Sequence, residues 1–235
     1  DWMLHSGMDR ATMLKKLFGR EDARTIIWMP TFRKSDILLS AENQIDLPFQ
    51  LPALKNEREL EELDHCLKEK EVFLIIKKHP LQSRWDSSEE NYTNIRYVTE
   101  EMLAGAGIWL YEMVGVCDAL ISDYSSIAVD FMLLDRPLGY VLTDLECYRE
   151  TRGFVFENPE EYMPGAKLYD LSDLENFVCD ISEGKDPFKE ERRKLLPAMH
   201  TMPVKDSYCG ALARYLNIQE VERNGKGNRL HTGYL

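Results

Sequence analysis

The chain has 235 residues, 44% of them hydrophobic, and a formal net charge of −12. That is enough apolar material for one well-filled core with extensions, in a globular protein. The charge excludes a nucleic-acid binder, whose affinity rests on Lys and Arg neutralising phosphates, so a small anionic ligand needs positive charge concentrated locally against the global field.

In chain order, residues 1–20 read as an interdomain or linker segment, 21–218 as one Rossmann-like domain and 219–235 as a flexible tail. Short aliphatic runs predict six strands, over Thr25–Met29, Val72–Lys77, Ile95–Val98, Ala119–Ser122, Leu138–Leu142 and Lys167–Tyr169. Between them, Glu57–Glu69 carries Leu60, Leu63 and Leu67 at helical spacing, and Trp109–Val116 and Ile127–Leu134 read as further amphipathic helices. Residues 34–55, with Pro48 and Pro52, read as a loop inserted after the first strand, and Gly105 and Gly107 as a helix-flanking turn. Helices over Leu171–Ser182, Phe188–Leu195 and Ser207–Leu216 complete the chain, with Pro187 and Pro203 at the breaks. Strands alternating with helices predict an α/β fold with a parallel sheet. Apolar runs such as Val72–Ile76 are far too short to span a bilayer and the first residues lack a signal-peptide pattern, so a cytoplasmic location is expected.

In an open parallel sheet, ligands occupy the crevice beyond the carboxyl ends of the strands. The first predicted strand ends in Met29-Pro30-Thr31-Phe32-Arg33, the second in Lys77-Lys78-His79-Pro80 and the fourth in Ser122-Asp123-Tyr124-Ser125-Ser126. Arg33, Lys77, His79, Ser125 and Ser126 therefore converge on one rim: cations for charge, hydroxyls at a helix start for orientation, and an imidazole able to move a proton near neutral pH. Ser125 and Ser126 serve equally well as helix caps, the structural alternative. Asp130 stands one helical turn beyond Ser126, placed to bind a ligand hydroxyl. Arg10, Lys78 and Arg152 are further cations beside predicted turns or strand ends. The five cysteines are odd in number and widely spaced without a CxxC pair, and the histidines lack metal-ligand spacing. No metal and no cofactor is expected. GxGxxG, Walker A and nucleophile-elbow motifs are absent, which disfavours dehydrogenase, ATPase and esterase readings.

At these residues the chain resembles the CDP-glycerol glycerophosphotransferase family, the teichoic acid primases and polymerases of GT-B fold. The resemblance rests on an ordered series: Met29-Pro30-Thr31-Phe32-Arg33, Lys77-Lys78-His79-Pro80, Asp123-Tyr124-Ser125-Ser126 with Asp130-Phe131 and Asp135-Arg136-Pro137, then Asp144–Tyr148, Arg152-Gly153-Phe154 and Met163-Pro164-Gly165. It implies a CDP-glycerol site formed by Pro30, Thr31, Lys77, His79, Ser125, Ser126 and Asp130, with both serines on the pyrophosphate. Arg33, Lys78 and Arg152 are expected to assist. Arg10 matches the arginine of a Gly-x-Pro-Arg segment, with Asp9 in place of the proline. The implied reaction is attack of an acceptor hydroxyl on the β-phosphorus, releasing CMP, with His79 as the catalytic hydrogen-bond or proton donor.

The family's Trp-His-Gly segment, with its general-base histidine, does not occur here. The resemblance thus implies the C-terminal, donor-binding half of a GT-B enzyme. Its partners would be an N-terminal GT-B domain, a lipid-linked glycerol phosphate acceptor and, through that acceptor, the inner face of the cell membrane. Two alternatives stand: a GT-B glycosyltransferase or other CDP-alditol transferase, and a non-catalytic nucleotide-binding module.

Overall fold

Strand and helix alternate along the computed structural model, which describes residues 3–4, 7, 9–20, 23–31, 51–77, 92–200 and 207–217. Helix α1 (Arg10–Phe18) leads into β1 (Arg24–Trp28), and α2 (Glu57–Glu69) into β2 (Val72–Lys77) and β3 (Ile95–Val98). Helices α3 (Glu100–Ala106) and α4 (Leu110–Val116) precede β4 (Ala119–Ser122), which feeds α5 (Ile127–Phe131) and a 3₁₀ turn at Met132–Leu134. Then come β5 (Leu138–Val141), α6 (Leu145–Thr151), β6 (Ala166–Leu168), α7 (Leu171–Glu183) and α8 (Lys189–Met199). The chain separates into two compact units, Trp2–Thr201 and a second made of Asp1 with Met202–Leu235. The described part of the second unit is helix α9 (Tyr208–Tyr215), whose start is capped by the Ser207 hydroxyl accepting from the Gly210 N–H at 3.0 Å.

Among the described residues all five strand pairings are parallel, in the order β3-β2-β1-β4-β5-β6. Alternate residues of β2 explain its unbroken apolar run. Val72, Leu74 and Ile76 face one layer and Phe73 and Ile75 the other, so every residue of the strand is buried. The first layer is closed by Leu60, Leu63 and Leu67 of α2 with Leu174, Phe177 and Val178 of α7. The second receives Met13 and Leu14 of α1, Leu103, Met113, Val114 and Phe131. Helix α1 lies in the stretch read from sequence as an interdomain segment, yet two of its side chains are core.

The six strands match their sequence-predicted positions to within a residue or two at each end, and α2 matches in full. Helices α1, α3 and α6 were not anticipated. Gly105 lies inside α3 rather than in a turn, while Gly107 takes the left-handed conformation, φ 65°, that ends the helix. Gly165 answers a different need: a Cβ there would stand 2.3 Å from the Leu138 carbonyl oxygen, so the Met163-Pro164-Gly165 turn requires a residue without one.

Asp135-Arg136-Pro137 is architectural. Arg136 donates to the carbonyls of Gly115 at 2.9 Å and Cys117 at 2.5 Å, closing the C-terminal end of α4. Asp135, at φ 49°, accepts from Arg193 and from the buried Arg192, which also pairs with Asp186. These contacts tie the ends of α4 and α5 to α8 at the amino edge of the sheet.

Candidate functional site

The strand order reverses between β1 and β4, so a crevice opens at their carboxyl ends, where neighbouring connections leave in opposite directions. One aspartate spans it. Asp123, buried directly after β4, accepts the Thr31 backbone N–H at 2.7 Å through Oδ2 and the Thr31 hydroxyl through Oδ1. The Met29 N–H donates to the Ile121 carbonyl at 2.9 Å, carrying the pairing past the end of β1. Pro30 and Thr31 are thus held against the turn that follows β4.

Beyond Asp123 the chain passes through Tyr124, Ser125 and Ser126 into α5. The expectation that Ser126 caps this helix is not met. Its backbone is already helical, at φ −62° and ψ −16°, and its side chain makes no capping hydrogen bond. Neither serine hydroxyl is engaged among the described residues, with Ser125 half-buried and Ser126 exposed. Helix α5 has five residues, so its dipole is small, and what the turn offers an anion is chiefly its hydroxyls.

Lys77 ends β2 beside Val98 of β3 and is 5% exposed. Its ammonium stands 2.8 Å from Glu100 Oε1, in the first turn of α3. A lysine expected to meet ligand phosphate therefore already has a carboxylate neighbour. Asp130 sits on α5 as anticipated, and its Oδ2 accepts from the Tyr111 hydroxyl at 2.7 Å. Burial, followed by that bond to a carboxylate, pushes the Tyr111 phenol up to about 12. Arg152 terminates α6 on the same side of the sheet, its guanidinium 5.7 Å from the Tyr148 ring centre. Tyr148 packs 4.2 Å from Tyr124, and the Tyr124 hydroxyl donates to Asp144 at 2.9 Å. These contacts tie the turn after β4 to the segment after β5.

The structure thus brings Pro30, Thr31, Lys77, Ser125, Ser126, Asp130 and Arg152 to the carboxyl edge. It does not bring Arg10 there. Arg10 donates to Asp118 at 2.8 Å and to the Ala23 carbonyl, at the opposite, amino ends of β4 and β1. Five residues of β1, roughly 16 Å at the usual strand rise, separate that edge from the crevice. The Asp9 that replaces the family's proline caps α1, its Oδ1 accepting from the Thr12 N–H at 2.9 Å. Arg33, Lys78 and His79 lie outside the described residues.

Sequence reasoning passed over Asp123, Glu100 and Tyr111 as site residues. Asp123 carried a readable signal, an acidic side chain directly after an apolar strand. Glu100 becomes meaningful only once the β2–β3 register sets Lys77 beside Val98, and Tyr111 only once α4 and α5 are seen to pack together.

Comparison with known proteins gives a consistent picture. Residues 1–202 match the family model for CDP-glycerol:poly(glycerophosphate) glycerophosphotransferases. A teichoic acid glycerol-phosphate primase of Bacillus subtilis (strain 168) is 30% identical over 172 residues, 73% of this chain and 38% of that protein. A teichoic acid poly(glycerol phosphate) polymerase of Bacillus spizizenii is 29% identical over 169 residues, 70% of this chain and 39% of that protein. A histidine-to-asparagine variant of the wall teichoic acid polymerase TagF, soaked with CDPG, superposes with a TM-score of 0.62 at 19% identity, over 92% of this chain and 48% of that one. The last likeness shows a shared fold. The chain spans well under half the length of the curated relatives it matches.

Proposed function

Because the chain belongs to the CDP-glycerol:poly(glycerophosphate) glycerophosphotransferase family, we propose that its carboxyl-edge crevice binds CDP-glycerol and serves glycerol phosphate transfer in teichoic acid synthesis. The observation that carries this reading is the pair of hydroxyls on Ser125 and Ser126, uncommitted among the described residues, beside a crevice whose walls Asp123 and Thr31 lock together. In this assignment the two serines and Lys77 hold the pyrophosphate, Pro30 and Thr31 shape the opposite wall, and Arg152 adds charge at the rim. Asp130 takes a ligand hydroxyl. Arg33, Lys78 and His79 complete the set from sequence, with His79 as proton donor. Arg10 is left out, being bound into the far edge of the sheet.

In the proposed reaction an acceptor hydroxyl oxygen attacks the β-phosphorus of CDP-glycerol. The new P–O bond forms as the bond to the bridging oxygen breaks, CMP departs with that oxygen, and glycerol phosphate is joined to the acceptor. Such transfers depend on in-line positioning and charge neutralisation more than on covalent help. Lys77 and the hydroxyls supply these to the departing CMP. The acceptor proton passes to a base in the N-terminal half, where the resemblance locates the Trp-His-Gly histidine. Residues 21–218 then correspond to the donor-binding half, working on a lipid-linked acceptor at the inner membrane face. None of the described helices is long and apolar enough to cross a membrane.

Two measurements test this. CMP release from CDP-glycerol by the full-length protein should require an acceptor and fall strongly in His79→Ala with little change in unfolding. Ligand that binds the native state raises its unfolding midpoint, so CDP-glycerol should raise that of this chain more than CDP-ribitol or a UDP-sugar. A larger shift with the UDP-sugar would move the assignment to a glycosyltransferase.

A further inference from the structure

Tyr111 reaches Asp130 across 19 positions of sequence, from the first turn of α4 to the middle of α5. Asp130 lies one helical turn beyond Ser126 on α5, so the bond sets the Tyr111 phenol beside the turn that carries Ser125 and Ser126. Tyr111 is 40% exposed and Asp130 half-buried, so the bond sits near the surface and contributes little to core packing. Its geometry matters more. A carboxylate on an exposed helix turns among rotamers, whereas one bound at 2.7 Å through Oδ2 is held, with Oδ1 left without a partner among the described residues. Because burial first and Asp130 second raise the phenol to about 12, it remains a donor to Asp130 at neutral pH.

Ser126 and Asp130 are one helical turn apart, with Cβ atoms about 5–6 Å from each other on one face. A ligand that sets a phosphate at Ser126 places a hydroxyl one or two carbons away within reach of Asp130 Oδ1. From these observations, and resting on the donor-site reading above, we propose that Tyr111 is a positioning residue for the donor: it locks the Asp130 carboxylate so that one oxygen is presented to a hydroxyl of a phosphorylated polyol. Two parts of a CDP-alditol carry such a hydroxyl, the ribose and the alditol.

The test uses the full-length protein and four forms: unaltered, Tyr111→Phe, Asp130→Ala and the double variant. Tyr111→Phe should weaken CDP-glycerol binding about fivefold to tenfold, the scale of one net hydrogen bond, raising KM while leaving kcat and the unfolding midpoint nearly unchanged. The double variant should bind no worse than Asp130→Ala alone, since the phenol acts only through the carboxylate. Binding of CMP separates the two sources. Equal weakening of CMP and CDP-glycerol by Tyr111→Phe assigns the hydroxyl to the ribose, and weakening of CDP-glycerol alone assigns it to the alditol. If Asp130→Ala weakens the donor and Tyr111→Phe does not, or if the two losses add, the positioning role is overturned while the donor site stands. Unchanged binding in Asp130→Ala overturns both.

Discussion

An aspartate stands at each end of β4, and the two make nearly the same contacts to opposite ends of the β1 segment. Asp118, before β4, accepts the Thr25 N–H at 2.7 Å, and its Oδ2 lies 3.4 Å from the Thr25 hydroxyl. Asp123, after β4, accepts the Thr31 N–H at 2.7 Å and also the Thr31 hydroxyl. The surroundings differ. At the amino edge the guanidinium of Arg10 closes over Asp118 and ties it to the Ala23 carbonyl, so the carboxylate there is already paired with a cation of the chain itself. At the carboxyl edge the same clamp is followed by a turn whose serine hydroxyls are uncommitted among the described residues. The comparison teaches that the sheet is stapled at both ends, and that the carboxyl staple borders serine hydroxyls uncommitted among the described residues, whereas the amino staple is held by a cation of the chain itself.

The hardest test of that contrast is Asp123→Ala. Removing two bonds to a buried carboxylate should lower the unfolding free energy by about 2–4 kcal/mol, and releasing Thr31 should abolish measurable CDP-glycerol binding. Chemical denaturation and calorimetry read the two effects separately. A variant that loses stability yet keeps the donor would make the carboxyl clamp a structural twin of the amino one.

A matched pair comes next. Arg10→Met leaves Asp118 partly buried without its cation and should lower stability by about 1–3 kcal/mol, with donor affinity unchanged. Lys77→Met keeps much of the side-chain volume and leaves Glu100, which is 54% exposed, to water. It should therefore affect folding little and weaken the donor about tenfold to a hundredfold, the scale of a charge-assisted hydrogen bond. A loss of donor affinity in Arg10→Met equal to that in Lys77→Met would erase the distinction between the edges.

Arg10 also shows where sequence stops being readable. The strands were legible because a central parallel strand is apolar on both faces, so Val72–Ile76 and Ala119–Ile121 advertise themselves. Helix α2 was legible from its leucine spacing, and the turn after β4 from its abrupt change of composition. Helix α1 was not, although Met13, Leu14, Leu17 and Phe18 recur at helical spacing, because the stretch was read as a linker and its capping residue, Asp9, as a departure from a family pattern. An arginine near a turn looks the same whether it awaits a ligand or holds an aspartate 108 positions away. Long-range partnerships such as Arg10–Asp118, Lys77–Glu100 and Tyr111–Asp130 depend on which strands are neighbours, information that local periodicity does not carry.

Smaller effects sharpen the carboxyl edge itself. Ser125→Ala and Ser126→Ala remove hydroxyls that cap nothing, so neither should shift the unfolding midpoint measurably, and each should weaken the donor by about threefold to tenfold. A clear loss of stability in Ser126→Ala would restore the capping role that its helical backbone argues against.

The smallest expected effect is read by pH, through Tyr111, whose phenol is raised from 10.0 to about 12 in the folded chain, by burial first and by Asp130 second. A raised value means that the folded state holds the proton more tightly than the unfolded state. The stability linked to Tyr111 is therefore fully present below pH 10 and is lost as pH climbs toward about 12. The Cys66 and Cys117 thiols, raised to about 11 and about 12, chiefly by burial, act in the same direction over overlapping ranges. The informative quantity is thus the difference between the unaltered chain and Tyr111→Phe, in which the thiol contributions cancel. Unfolding measured from pH 9 to 11.5 should fall slightly more steeply in the unaltered chain, by a few tenths of a kcal/mol for so exposed a group. Parallel slopes would mean that the Tyr111–Asp130 bond does not persist in solution, and with it would go the fixed carboxylate at the carboxyl edge.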